Sequence, residues 1–139
     1  MACQNDHVKV VNALLARKEI QINQAKNNGC TPLYIACQED HVKVVNALLA
    51  RNDIQINQTA NEGDTPLIVA SYLGNALVVK ALLSHASVTT TDTCFGKTAY
   101  DCTEANMRIA SWSHSDDKIS ENGRLKCQNL LKLFDEKKK

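Results

Sequence analysis

Four groups of residues in this 139-residue chain have types that could do chemistry. Ser113, His114, Asp116 and Asp117 bring together the nucleophile, base and orienting carboxylate of a hydrolase. Such a triad needs its members to converge from a rigid scaffold beside an oxyanion hole. Neighbours within one polar stretch, Ser113 to Asp117, do not converge, and we read them as a solvated loop. His7 and His41 sit in near-identical surroundings and invite a metal. Packed helices hold equivalent residues about 10 Å apart, whereas a shared ion needs ligands at about 2 Å. Asn75 takes the third equivalent place, so the histidines read as helix-start residues. Gly96-Lys97-Thr98 has the last three letters of a phosphate-binding loop, but Thr91 stands where the first glycine belongs. Finally, Cys3, Cys30, Cys37, Cys94, Cys102 and Cys127 contain no Cys-x-x-Cys pair, and no adjacent cationic cluster favours a thiolate. Cys30 and Cys94 are expected to be the accessible thiols; Cys3, Cys37 and Cys102 are expected to pack as small apolar groups. We expect no catalytic residue, no metal and no cofactor.

Composition agrees with that reading. Lys plus Arg (16) nearly balances Asp plus Glu (15), so nothing draws the chain to nucleic acid or an anionic membrane. The longest apolar runs, such as Val42 to Ala50, are interrupted by Lys and Asn and cannot span a bilayer. The front lacks a basic-then-apolar pattern, so we expect reduced thiols and a cytoplasmic location. Aromatic residues make up only 4%, which suits a core of Ala, Val and Leu.

The elements that would position any site follow from a repeat. Ala2–Gln24 and Ala36–Gln58 differ only at Asn5/Glu39, Lys18/Asn52 and Glu19/Asp53. The offset that carries Ala2 onto Ala36 also carries Gly29-Cys30-Thr31-Pro32-Leu33 onto Gly63-Asp64-Thr65-Pro66-Leu67. Gly96-Lys97-Thr98-Ala99-Tyr100 follows Gly63 one position sooner than that offset would place it. A fixed period within roughly 20–50 residues means stacked units, each unable to bury its apolar face alone. Thr31 caps a helix with Pro32 at its first position, and that helix runs to about Gln38. Glu39-Asp40-His41 makes a tight turn. Val42, Val44, Val45, Leu48 and Leu49 line one face of a second helix. From Asn52 to Gly63 the alternation of Ile54, Gln55 and Ile56 suggests an extended arm ending in a turn.

These motifs resemble the ankyrin repeat. The stretches GCTPLYIACQEDHVKVVNALL and GDTPLIVASYLGNALVVKALL are similar to its pattern G-x-T-P-L-H-x-A-x-x-x-G-H-x-x-V-V-x-x-L-L. Tyr34 and Ile68 replace the motif's histidine, and Asp6 and Asp40 replace the turn glycine kept as Gly74. The resemblance implies an all-α solenoid of helix-turn-helix units joined by β-hairpin-like loops. Its units would be a truncated first repeat over 1–26, repeats over 27–60 and 61–93, and a modified C-terminal capping repeat over 94–139. In that cap the first helix is expected to reach about Asn106. An insertion would fill about 107–123, and a helix from Arg124 would pack Leu125, Leu130, Leu131, Leu133 and Phe134 on Leu82 and Leu83.

The resemblance also implies a non-catalytic role in protein binding, through the concave face of the first helices and the hairpin tips. Carried over by position, the helix ladder is Gln4, Gln38 and Tyr72, flanked by Glu39 and Leu73. The tips contribute Asn27 and Asn28, then Asn61, Glu62 and Asp64, then Phe95 and Lys97. Tyr72, Leu73 and Phe95 are expected to face solvent. The half-repeat at the front leaves two readings open. The chain is a C-terminal scaffold or targeting piece of a larger protein, an enzyme or a host-directed bacterial effector acting in host cytosol. Or it is a natural terminus on a monomer that can associate end to end through the uncapped first repeat.

Overall fold

The structure, a computed structural model, describes residues 9, 13, 14, 16, 17, 21–104 and 119–137. Five α-helices lie within that range: α1 Pro32–Gln38, α2 Val42–Leu49, α3 Pro66–Leu73, α4 Ala76–Leu83 and α5 Glu121–Lys137. A 3-10 turn, Asp101–Thr103, stands between α4 and α5. His7, Cys3, Gln4 and Ser113 to Asp117 lie outside the described residues.

The helix starts are those the sequence dictates. Thr31 Oγ1 accepts from the Tyr34 N–H at 3.1 Å, and Thr65 Oγ1 accepts from the Ile68 N–H at 3.2 Å. Each threonine satisfies one donor that the first helical turn leaves unpaired, and the proline that follows loses nothing by lacking its own. Both inter-helix turns need a left-handed residue, supplied by Asp40 at φ 60° and Gly74 at φ 81°.

α1 packs on α3, α2 on α4, and each helix on its partner within the unit; α5 closes the stack against α3 and α4. The core runs continuously through Leu33, Ala36, Val44, Val45, Leu48, Leu67, Val78, Val79, Leu82 and Leu131. Beyond the helices the arms form no strand among the described residues, though their alternation holds: Ile54 and Ile56 are buried and Gln55 is exposed. Asparagines at a fixed place tie the arms together. Asn23 Nδ2 donates to the Asp53 carbonyl at 2.7 Å and its Oδ1 accepts from the Gln55 N–H at 2.9 Å. Asn57, the equivalent residue of the next unit, does the same with the Ser87 carbonyl and the Thr89 N–H. One amide per unit therefore pairs two backbone groups of the next.

The last unit departs from expectation in three ways. Its first helix stops at Thr103 instead of running to about Asn106. Thr98 and Asp101 do form a reciprocal cap, each side chain accepting from the other's N–H at 3.0–3.2 Å. Yet the Thr103 hydroxyl donates back to the Tyr100 carbonyl, Glu104 turns extended, and the Glu104 carbonyl accepts from Arg124. Second, α5 begins at Glu121 rather than Arg124. Ser120 caps it, its Oγ accepting from the Gly123 N–H at 3.0 Å. Third, only part of the expected apolar set packs inward. Leu131 is buried and Leu130 and Phe134 touch the core, while Leu125 and Leu133 are exposed because they fall on the outer side of α5.

Candidate protein-binding surface

The structure divides the residues of the expected binding surface into three groups. The helix ladder is the part it overturns. Tyr72 is 3% exposed and Leu73 1%, so neither faces solvent. All eight residues of α3 are buried, because α1, α4, α5 and the 3-10 turn pack around it. Arg124 is the reason for Tyr72. Its guanidinium lies 4.7 Å from the centre of the Tyr72 ring, and its Nε donates to the Tyr72 carbonyl at 2.6 Å. Gln38 and Glu39 are half-buried at the end of α1.

Asp64 is likewise withdrawn from the tip set. It is 2% exposed, and its carboxylate accepts from the Tyr34 phenol. Tyr34 is thus the residue that replaces the motif histidine, and it braces the following unit through its side chain. Burial, then the Asp64 charge, push the phenol's pKa well above its ordinary value. The cysteine expectation is corrected for the same reason. Cys30 and Cys94 are buried beneath the tips rather than accessible. Burial, then the charge of Asp64, raises both thiols, Cys94 to about 11; burial chiefly raises Cys102 and Cys127 to about 12. Burial raises Cys37 too, so it disfavours the thiolate at all five described cysteines and makes them poor nucleophiles. Among the described residues no group of three or more His, Cys, Asp or Glu could hold a metal ion.

Asn27, Asn28, Asn61, Glu62, Phe95 and Lys97 are exposed. They sit on three hairpin tips that are joined edge to edge. The Asn61 N–H donates to the Asn28 carbonyl at 3.0 Å and Asn61 Nδ2 to the Asn27 carbonyl at 2.8 Å. The Cys94 thiol donates to the Glu62 carbonyl at 3.4 Å.

The third tip is built differently from the other two. In the first two, residues 26–30 and 60–64, a three-residue loop closes with a glycine as its one left-handed residue, Gly29 or Gly63. The third is one residue shorter. Cys94 and Lys97 exchange both backbone hydrogen bonds at 3.0 Å, leaving a two-residue loop of Phe95 and Gly96. Both loop residues are left-handed, with φ 54° at Phe95 and 75° at Gly96, which is the type I′ rather than the type II′ arrangement. Asn, Asp or Gly would adopt that conformation easily; a bulky side chain there costs about 1–2 kcal/mol. The ring does not recover this by burial, since Phe95 is 59% exposed. The shortened spacing from Gly63 to Gly96 was the sequence signal of this turn, because a missing residue at a hairpin changes its turn type.

Arg124 is the site-shaping residue that sequence reasoning missed. It is fully buried and 52 residues from the carbonyl it serves, and nothing in its local sequence marks it.

A search of curated proteins found no match. A sequence model of the ankyrin repeat, in three copies, matches residues 1–94. With its capped Thr-Pro helices, its stacked pairs and its projecting tips, this chain belongs to the ankyrin-repeat family.

Proposed function

We propose that this chain is a non-catalytic module that binds another protein along the edge formed by its hairpin tips. Ankyrin repeats are generally protein–protein interaction modules, which supports the class of function. The observation that carries the location is the contrast in exposure. The inner helix α3 offers no exposed residue, while Asn27, Asn28, Asn61, Glu62, Phe95 and Lys97 project from tips cross-linked by hydrogen bonds. The edge is mixed in charge and rich in amide groups, which favours a protein surface over a polyanion. The buried thiols suit work in a reducing, cytoplasmic setting.

Capture from lysate tests the reading. The immobilised chain is compared with an Asn28→Arg/Glu62→Arg variant whose helicity is checked by circular dichroism. A protein held by the wild type and released by the folded variant is the expected result. A protein held equally by both would move the binding surface away from the tips.

A further inference from the structure

We infer that Phe95 is the anchor of this edge: its ring enters a preformed apolar pocket on a folded partner protein, and Lys97 meets a carboxylate on the pocket's rim. This rests on the reading of the tips as the binding edge.

Three observations lead there. First, the equivalent places on the other tips hold Asn28 and Glu62, residues that a water-facing turn accommodates without difficulty. The third tip alone places a large apolar ring there, on a left-handed backbone and in water. Strained backbone of this kind gathers at functional positions. Second, the backbone that carries the ring is held. Two backbone bonds close the turn, and Cys94 is buried at its base and bonded to Glu62. An aromatic on an ordered turn gives up only its side-chain rotation on docking, which suits a hot-spot residue. Third, the tip is convex. Among the described residues, chain neighbours aside, no atom lies within 4 Å of where a Cβ on Gly96 would be, so Phe95 projects from an open turn. A projecting ring is covered by a cavity, which a folded protein supplies and a short extended peptide does not. Charge gives the rim its order. Lys97 is exposed on one arm of the turn, and Glu62 lies against the other arm, at Cys94. The matching pocket is acidic toward Lys97 and basic toward Glu62.

The experiment places a photoreactive benzoyl-phenylalanine at position 95 of the full 139-residue chain. After irradiation in lysate, the cross-linked peptides are sequenced. The expected product is one folded protein, cross-linked at an apolar pocket with Asp or Glu at its edge. Titrating that protein should show Phe95→Ser weakening binding by about 30-fold or more and Phe95→Leu by much less. Lys97→Glu should weaken it by about 5-fold, more at low salt than at high. Phe95→Asn should melt higher than the wild type yet bind poorly, which separates lost binding from lost folding. Cross-links scattered over unrelated proteins, cross-links to nucleic acid, no cross-linked partner at all, or binding unchanged by Phe95→Ser would each overturn the inference. If Phe95→Ser binds normally while Asn28→Arg/Glu62→Arg does not, the anchor fails and the tip edge stands. If neither variant matters, both fail.

Discussion

The junction between the α1–α2 and α3–α4 units and the junction between α3–α4 and the C-terminal helix solve one problem with different residues. At both, carbonyls at the end of an inner helix face the start of the next unit's outer helix and need a donor. At the first, Asn75 Nδ2 donates to the Cys37 carbonyl at 2.8 Å and more weakly to that of Gln38. At the second, Arg124 serves the Tyr72 carbonyl, which is equivalent to that of Gln38, and reaches on to the Glu104 carbonyl at 3.3 Å. A short amide suffices where the repeat delivers it at the right height. Where no repeat delivers such an amide, a longer side chain with several donors reaches the carbonyls. The second junction also brings backbones together: Gly74 and Gly123 meet without side chains between them, and the Ser120 N–H donates to the Leu73 carbonyl at 2.8 Å.

That backbone contact is where the second junction breaks most easily. A Cβ on Gly123 would lie 1.8 Å from the Gly74 carbonyl oxygen, and one on Gly74 would lie 2.2 Å from the Ser120 carbonyl oxygen. Neither obstacle is a flexible side chain. Gly123→Ala should therefore cost about 3 kcal/mol or more, although alanine is otherwise the better helix former. Urea unfolding followed by circular dichroism reads this directly. A midpoint at or above the wild-type value would mean that α5 is seated by its side chains and not by the glycine pair.

Arg124→Met and Asn75→Ala measure the two solutions against each other. Arg124→Met keeps an apolar stem but leaves the Tyr72 and Glu104 carbonyls without their donor and removes the stacking on Tyr72. Removing the charge relieves some desolvation, which offsets part of the loss, so about 2–3 kcal/mol is expected. Asn75→Ala takes a neutral donor from the Cys37 carbonyl and a weaker one from that of Gln38, for about 1–2 kcal/mol. Arg124→Lys should not restore stability, because a compact ammonium lacks the planar, widely spaced donors that reach both carbonyls while a flat face lies on the ring. Equal losses at the two positions, or a larger one at Asn75, would show that the guanidinium is incidental to the junction.

Most of the first junction was legible in the sequence for a physical reason, though not the Asn75 amide, which stands where the other copies have histidine. Its parts recur at a fixed offset, so Thr-Pro starts, left-handed turns and buried valines could be read from one copy into the next. The second has no copy to read from. The helix-ending role of Thr103, the Ser120 cap and the Arg124–Tyr72 pair are single events, and the last joins residues 52 apart. The same limit explains the site. Position within the repeat placed Asn27, Asn28, Asn61, Glu62, Phe95 and Lys97 on exposed turns, as the structure has them, because a turn is local chemistry. It placed Tyr72 and Leu73 in solvent wrongly, because what covers α3 comes from the non-repeating end. Asp64 went astray for a related reason: its partner, Tyr34, sits where the motif has histidine.

Ser71 gives the finest test of how far equivalence between units carries. It occupies the place that Cys37 holds in the preceding unit, and both side chains are fully buried. A thiol is at ease there as a small apolar group. The Ser71 hydroxyl has no hydrogen-bond partner among the described residues, so this helix carries a desolvated polar atom where its counterpart carries none. Ser71→Cys should then leave stability unchanged or raise it by about 1 kcal/mol, since relief of that cost outweighs the slightly larger sulfur in a place that holds a thiol in the preceding unit. Ser71→Ala should fall just below it, losing a few contacts in exchange for the same relief. The effect is small, and both variants belong in the same urea series as the glycine and arginine substitutions. If Ser71→Cys destabilises by more than about 1 kcal/mol, the serine is satisfied in α3, and the two inner helices differ in more than the residues that cover them.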